Sequence, residues 1–124
     1  MDKPKILIVE DDADLVETYT DFLEMMHHSV MSVTKANDAI TAVTRFKPSI
    51  VLLDLNLAGY SGTIVVNMIR SYQALKDTKI VVITGHPEML KDGRDSSRVD
   101  LVLSKPISNE QLLETVNQFT VTSR

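Results

Sequence analysis

Short aliphatic runs alternate along the chain with segments whose apolar residues recur every three or four positions. The runs have the length and composition of buried strands and cover residues 5–9, 29–34, 50–53, 79–83 and 101–103. The intervening segments are typical of amphipathic helices, with apolar rows that include Leu15, Tyr19 and Leu23; Ile40, Val43 and Phe46; Ile64, Met68 and Ile69; and Leu112, Val116 and Phe119. This alternation predicts an α/β domain with a five-stranded, mostly parallel sheet covered by helices on both faces.

Polar residues mark several of the helix ends. Asn37 is predicted to cap the second helix, and Pro48 lies just past its end. Ser108, followed by Gln111 three residues later, predicts a capping box at the start of the last helix. The segment 87–98 is polar and gives only a faint helical signal.

Length and composition limit what this chain can be. Its 124 residues fit a single domain spanning residues 1–124, and 44% hydrophobic residues are enough for a core. Because the chain stops just after the last predicted helix, we expect any output domain to lie outside it or not to exist.

Charge and targeting signals argue against several classes of protein. The formal net charge is −4, and the 13 Lys and Arg are scattered, so direct nucleic-acid contact is not expected. There is no cysteine, no apolar run of roughly 20 residues that could span a bilayer, and no pattern of a secretory signal. We therefore expect a cytoplasmic protein that does not bind membranes.

Several chemically capable side chains follow the predicted strands. Every strand of a parallel sheet with crossover helices ends at the same edge, where ligands bind. The residues at those ends are Glu10, Asp11, Asp12, Asp54, Thr84 and Lys105. Several carboxylates at one edge repel each other, and Mg²⁺ with oxygen ligands would relieve this repulsion.

The same edge has the groups needed for phosphoryl transfer. Asp54 ends the run 50–53 and can act as a nucleophile that forms an aspartyl phosphate. Lys105 and Thr84 are suited to binding phosphoryl oxygens. This chemistry predicts that Asp54 is exposed at the end of its strand, beside a cation.

Four segments together resemble the signatures of response-regulator receiver domains, the phospho-accepting modules of two-component signalling. They are Val9-Glu10-Asp11-Asp12, the stretch from Leu53-Asp54 to Gly62, Ile83-Thr84-Gly85 and Ser104-Lys105-Pro106. Each segment alone is weak evidence for the family, but all four occur in the family's order and spacing. The resemblance covers essentially the whole chain. It implies a flavodoxin-like, doubly wound sheet with strand order 2-1-3-4-5.

The resemblance also implies a role for each matching residue. Asp54 would be the phosphorylation site, Thr84 would hydrogen-bond the phosphoryl group, and Lys105 would pair with it. Mg²⁺ would be bound by Asp11, by Glu10 through water, by Asp54 and by the backbone carbonyl of Asn56. The bond between Lys105 and Pro106 would be cis.

Partners follow from the same resemblance. A histidine kinase or histidine phosphotransfer protein would supply the phosphoryl group, and a downstream effector domain or protein would respond. The face made by the fourth helix, the fifth strand and the last helix would be the output surface or a homodimer contact. Such a domain is not an enzyme beyond its own Mg²⁺-dependent phosphorylation and slow autodephosphorylation.

Three departures from the family's pattern bear on how the signal is passed on. Ala58 stands where the family usually has proline, and Arg98-Val99 replaces a small Gly-Ala pair. Val102 stands where the family has an aromatic ring that moves together with the threonine, and valine has no ring to swing. The main alternative is therefore a receiver-like interaction module that works without phosphorylation.

Two other classes of protein fit the sequence less well. A flavodoxin-like electron carrier needs a hydroxyl- and glycine-rich loop after the first strand, where this chain has three acids. An aspartate-nucleophile phosphohydrolase carries its nucleophile after the first strand, whereas Asp54 follows the third.

Overall fold

The alternating pattern folds into one twisted parallel sheet with helices on both sides. The computed structural model describes residues 4–57, 60–90 and 97–122. The strands of the sheet are β1 (Lys5–Val9), β2 (Ser29–Val33), β3 (Ile50–Leu53), β4 (Lys79–Thr84) and β5 (Leu101–Ser104). All neighbouring strands are parallel, in the order β2-β1-β3-β4-β5, which confirms the predicted topology.

The connections between the strands are mostly helical. The helices are α1 (Ala13–Met25), α2 (Ala36–Phe46), α3 (Thr63–Ser71) and the C-terminal helix (Asn109–Thr122), with short 3₁₀ turns at Gln73–Leu75 and Pro87–Met89. After β3, the chain makes a small antiparallel pairing of Asn56–Leu57 with Tyr60–Ser61. Among the described residues, no helix is long and apolar enough to cross a membrane.

Strand residues alternate between two cores because successive side chains point to opposite faces of a sheet. One core joins β1, β3 and β4 to α2 and α3, and its members include Val9, Leu53, Val82, Val43 and Ile69. The other joins the same strands to α1 and the C-terminal helix, and its members include Ile8, Leu52, Ile83, Leu23 and Val116. Burial on both faces explains why the central strands are continuously apolar rather than alternating.

The start of α2 differs from the prediction. The N-cap position is Lys35, which makes no side-chain capping hydrogen bond, so Asn37 lies inside the helix and does not cap it. The physical reason is the buried face of α2, which begins at Ala36 and continues through Ala39 and Val43. The helix must start at Ala36 to bury that face.

The last helix begins as predicted. The Ser108 hydroxyl accepts the backbone N–H of Gln111 at 3.1 Å, and the Gln111 side chain accepts the N–H of Ser108 at 3.0 Å. This reciprocal pair is the capping box. Of the faint helical segment 87–98, the described part contains only the 3₁₀ turn at Pro87–Met89, and residues 91–96 lie outside the described chain.

Candidate functional site

The sheet order brings two acids from distant parts of the sequence to adjacent strand ends. Val9 and Leu53 are register partners on β1 and β3, so the residues that follow them, Glu10 and Asp54, lie side by side. The N–H of Asp54 donates to the carbonyl of Val9 at 3.0 Å, which continues the strand pairing up to the acid. Backbone hydrogen bonds therefore fix the position of Asp54 independently of its side-chain contacts.

Both acids are buried. Glu10 is 3% exposed and Asp54 is 6% exposed. The expectation that Asp54 is exposed at its strand end is therefore wrong. Asp54 is covered because β3 lies between two other strands of the sheet. The helix α1 packs on one side, and its Tyr19 lines the crevice beside both carboxylates.

One cation bridges the two acids. Lys105 Nζ lies 2.6 Å from Glu10 Oε1 and 2.9 Å from Asp54 Oδ2. Buried carboxylates require such pairing because removal from water penalises their charged form. The ammonium of Lys105 is the positive charge that lies beside Asp54 in this structure.

Backbone amides bind the remaining carboxylate oxygens. Glu10 Oε2 accepts the N–H of Asp12 at 3.1 Å, and Asp54 Oδ1 accepts the N–H of Asn56 at 3.1 Å. The side chain of Asp12 accepts the N–H groups of Asp14 and Leu15 instead, and so caps α1. Of the three acids after β1, Asp12 thus serves as the N-cap of α1.

The pKa shifts follow from burial and from this bridge. Burial raises the pKa of Glu10, and the hydrogen bonds from Lys105 and Asp12 only partly oppose this. Burial also acts to lower the pKa of Lys105, but its hydrogen bonds to Glu10 and Asp54 outweigh that effect and leave the pKa raised. Lys105 therefore stays positively charged, while Glu10 is easier to protonate than a solvated glutamate.

Three carboxylates converge where a cation could bind. Glu10, Asp11 and Asp54 each offer an oxygen, and these oxygens lie within 4.8 Å of one another. Asp11 is exposed and lies on the solvent side of the two buried acids. A cluster of oxygen donors with more negative charge than Lys105 can neutralise fits a hard divalent cation.

Thr84 and Lys105 are linked through the ends of β4 and β5. The N–H of Lys105 donates to the carbonyl of Thr84 at 2.9 Å. Thr84 is fully buried, and its Oγ1 accepts the N–H of His86 at 3.0 Å. The peptide bond between Lys105 and Pro106 is cis, as the resemblance implied.

Two further residues belong to this site, although sequence patterns indicate only a core position for one and a loop position for the other. Tyr19, on the buried face of α1, lines a crevice together with Glu10 and Asp54, and burial raises its pKa. Gly62 donates its N–H to the carbonyl of Leu55 at 2.6 Å, and a Cβ there would lie 2.4 Å from the carbonyl oxygen of Asp54. The role of Tyr19 has no sequence signal, since it depends on which elements touch, whereas Gly62 closes one of the segments that carry the family resemblance.

Two of the departures from the family's pattern, Val102 and the pair Arg98-Val99, lie in or just before β5, an outer strand of the sheet. Val102 on β5 is 36% exposed. Arg98 donates to Asn67 Oδ1 at 3.1 Å, and its carbonyl accepts Arg70 Nε at 2.9 Å, so this segment is tied to α3. Ala58 lies outside the described residues.

A groove of about 620 Å³ lies at the opposite edge of the sheet from the acids. Pro48, Leu75 and Thr78 form its buried floor, and Lys47 and Tyr72 lie on its rim. None of the residues that line it belongs to the acidic cluster, so the groove is separate from the candidate site.

Comparison with known proteins identifies one family. The family model described as the response regulator receiver domain matches residues 6–117. The chain is 30% identical over 116 residues to the DNA-binding response regulator MtrA of Mycobacterium tuberculosis (strain ATCC 25618 / H37Rv), covering 92% of this chain and 49% of MtrA. The chain thus spans about half the length of the MtrA relatives that it matches.

Two solved receiver domains share the fold over nearly their whole length. A CheY-like response regulator receiver domain from Methylobacillus flagellatus superposes with a TM-score of 0.83 at 28% identity, covering 94% of this chain and 98% of that one. The receiver domain of the sensor histidine kinase PA1611 from Pseudomonas aeruginosa PAO1, which has a magnesium ion in its active site cleft, superposes with a TM-score of 0.81 at 19% identity, covering 94% and 97%.

Proposed function

The chain belongs to the response regulator receiver domain family of two-component signalling, and from that membership we propose that it accepts a phosphoryl group on Asp54. The donor is a histidine kinase or a histidine phosphotransfer protein. The observation that carries the proposal is the bridge of Lys105 to Asp54 and Glu10 at one sheet edge, beside Asp11. A structural ion pair would need one acid, whereas here Lys105 bridges two acids, and a third acid, Asp11, has a carboxylate oxygen within 4.8 Å of theirs.

The transfer step uses Asp54 as the nucleophile. A carboxylate oxygen attacks the phosphorus of the phosphohistidine, the P–O bond forms as the P–N bond breaks, and the electron pair leaves with the imidazole nitrogen, which takes up a proton. The hydrogen bonds from Asn56 and Lys105 hold the carboxylate in a defined orientation for this attack.

Lys105 and Thr84 stabilise the transferred group. The ammonium of Lys105 is already 2.9 Å from Asp54 Oδ2, where a phosphoryl oxygen would arrive, and its raised pKa keeps it charged. The Thr84 hydroxyl accepts a hydrogen bond from His86, which leaves its own hydrogen for donation to a phosphoryl oxygen. Thr84 would move toward the site to make that bond.

We further propose that the cation is Mg²⁺, which supplies charge neutralisation for the phosphoryl oxygens when bound. Asp11 and Asp54 would bind it directly, together with the backbone carbonyl of Asn56. Glu10 would act through water, as the family resemblance implies, while its oxygens accept the hydrogen bonds from Lys105 and Asp12. The Pseudomonas receiver domain with magnesium in its cleft has the same fold.

With Asp54 as phosphoacceptor, the chain would act as a cytoplasmic switch. It would catalyse only its own phosphorylation and slow dephosphorylation. A downstream effector domain or protein would read the phosphorylated state. The output surface would be the face of β5 and the C-terminal helix together with the fourth helix, and a phosphorylation-dependent homodimer would form there. The segment 87–98, where the fourth helix is predicted, includes residues 91–96, which lie outside the described chain.

Intact mass spectrometry tests the acceptor directly. The protein is incubated with a small phosphodonor and Mg²⁺, with Asp54→Asn as the matched control. We expect a mass gain of one phosphoryl group in the wild type, none in Asp54→Asn, and loss of the gain when Mg²⁺ is chelated. An equal gain in both proteins, or no gain with any donor, would disprove the proposal.

A phosphorylation-independent interaction module is the second candidate, and Val102 is the observation that favours it. A valine side chain cannot report the movement of Thr84 as an aromatic ring would. Amide chemical shifts along β5, recorded with and without phosphodonor, discriminate the two functions. Phosphorylation that leaves β5 unchanged would support the module, whereas shifts at β5 that require Asp54 would support the switch.

A further inference from the structure

The crevice beside the two buried acids has no room for a water molecule. Its lining consists of Glu10, Asp54, Tyr19 and five aliphatic residues of the sheet. Water therefore cannot bind the carboxylate oxygens from this side. Among the side chains that line the crevice, the phenol of Tyr19 is the one group that can donate a hydrogen bond to them at neutral pH.

The hydroxyl of Tyr19 has no hydrogen-bond partner among the described residues in the unphosphorylated site. This is unusual, because Tyr19 is only 5% exposed and buried tyrosine hydroxyls normally find a partner. Burial raises the pKa of the phenol, and the charge of Lys105, which lowers it, is the next strongest influence, ahead of Glu10 and Asp54. The hydroxyl is thus a protonated donor in the electrostatic field of all three charged groups.

Packing does not require a hydroxyl at position 19. Tyr19 belongs to the hydrophobic core between the sheet, α1 and the C-terminal helix, and the other buried members of that core have pure hydrocarbon side chains. Phenylalanine would fill the same space as the tyrosine ring. The oxygen of Tyr19 therefore needs a reason other than the filling of the core.

The ammonium of Lys105 is shared between two acids, and phosphorylation changes how it is shared. It lies 2.6 Å from Glu10 Oε1 and 2.9 Å from Asp54 Oδ2. A phosphoryl group on Asp54 would lie on the open side of the carboxylate, because the crevice on the other side is too small to hold it. Its negative oxygens would draw Lys105 toward them, and the buried carboxylate of Glu10 would then lose its cation.

We propose that Tyr19 is a positioning residue whose hydroxyl donates a hydrogen bond to Glu10 when Lys105 turns to the phosphoryl group. This role rests on the proposed phosphorylation of Asp54 and adds a residue to it. A buried carboxylate that loses its cation is strongly destabilised, and a charge-assisted hydrogen bond from the phenol offsets part of that effect. The hydroxyl touches neither the phosphoryl group nor the metal, and it acts through Glu10 and Lys105.

Tyr19→Phe tests the hydroxyl, since it removes one oxygen and keeps the ring. Phosphorylation by a small phosphodonor is followed by intact mass at several Mg²⁺ concentrations. We expect the maximal rate to fall about tenfold, the factor that corresponds to one hydrogen bond to a charged group. The Mg²⁺ concentration that gives half of the maximal rate should not change, because the phenol is not a metal ligand. Tyr72→Phe, at the exposed tyrosine after α3, is the matched control and should behave as the wild type.

A purely structural role of Tyr19 gives a different result. If only the ring matters, Tyr19→Phe is phosphorylated at the wild-type rate, and only Tyr19→Leu, which loses the ring, has a lower melting temperature. That outcome would overturn the proposal. A Tyr19→Phe variant with the wild-type maximal rate and a higher Mg²⁺ requirement would overturn it as well, because the phenol would then act at the metal.

Carbon-13 NMR of the tyrosine ζ-carbons observes the hydroxyl in the wild type itself. The chain has three tyrosines, and the signal that is missing in Tyr19→Phe is that of Tyr19. We expect this signal to shift on phosphorylation, because the ζ-carbon carries the hydroxyl that becomes a donor, and to stay in place in Asp54→Asn under the same conditions. An unchanged signal in protein that has gained the phosphoryl mass would refute the role of Tyr19 alone. A wild type that gains no mass would refute the proposed function and this role together.

Discussion

At the scale of single residues, the acidic site is a balance between burial and compensation. Glu10 and Asp54 are both almost fully buried, and one lysine that is itself 21% exposed offsets them. The two carboxylates also repel each other, and this repulsion adds to the effect of burial on the pKa of Glu10. Without a divalent cation, the site therefore holds more negative charge than its surroundings favour.

Glu10→Gln should be more stable than the wild type at neutral pH in the presence of a chelator. Because burial raises the pKa of Glu10 above its ordinary value of 4.5, the folded protein binds a proton more tightly than the unfolded chain does. The stability of the wild type then falls as pH rises through the window above 4.5, and the variant lacks this fall. Urea unfolding at several pH values measures the difference.

The advantage of Glu10→Gln should shrink as pH falls toward 4.5 and vanish below it, because the wild-type side chain is then protonated in both the folded and the unfolded state. Glu17→Gln removes an exposed acid on α1 and keeps Glu10, so it is the control, and its stability should follow that of the wild type across this pH range. A Glu10→Gln variant that is less stable than the wild type throughout this range would contradict the prediction.

At the scale of elements, the site depends on how closely the segment after β3 turns back on itself. Gly62 begins α3, and its N–H bonds to the carbonyl of Leu55. Its φ of −62° is ordinary, so a glycine is needed here for space and not for conformation. The neighbouring atoms that a Cβ would meet are backbone atoms of Asp54 and Leu55, which cannot rotate away.

Gly62→Ala should destabilise the protein by about 3 kcal/mol, at the upper end of the usual cost of overpacking. Because the clash is with the carbonyl of Asp54, it should also slow phosphorylation. Urea unfolding and the mass assay measure the two effects. Gly85→Ala is the matched control: a Cβ there meets nothing within 4 Å, and we expect a change within about 0.5 kcal/mol. Equal effects of the two substitutions would show that space at Gly62 is not limiting.

At the scale of the whole molecule, the parallel sheet gathers groups that are far apart in sequence. Lys105 and Glu10 are separated by 95 residues, and Lys105 and Asp54 by 51. Each group leaves the C-terminal end of a different strand, so a ligand bound there holds β1, β3 and β5 together. Binding at this edge is consequently coupled to the stability of the entire fold.

Mg²⁺ should therefore raise the melting temperature of the wild type. A cation at 100 times its dissociation constant adds about 2.7 kcal/mol if it binds only the folded state. Asp11→Asn should lose most of this gain, whereas Glu17→Gln should keep it. Thermal unfolding with a Mg²⁺ titration measures the effect, and an equal gain in Asp11→Asn and the wild type would contradict Asp11 as a ligand.

The sequence by itself determined the class of fold, because aliphatic runs and helical periodicity report which faces are buried. It predicted five strands, their parallel arrangement and the capping box at Ser108. It also singled out the acids and the lysine at the strand ends, since charged residues next to buried runs are unusual. Their order in space, however, came from the family resemblance and not from periodicity.

Only the tertiary structure decided what depends on contact between distant elements. Asp54 is buried rather than exposed because neighbouring strands and Tyr19 of α1 cover it. The helix α2 starts at Ala36 instead of after Asn37 because packing of its apolar face outweighs local capping. Likewise, the need for glycine at position 62 follows from packing. Sequence patterns record local preferences, whereas these features are set by the distances between atoms of different elements.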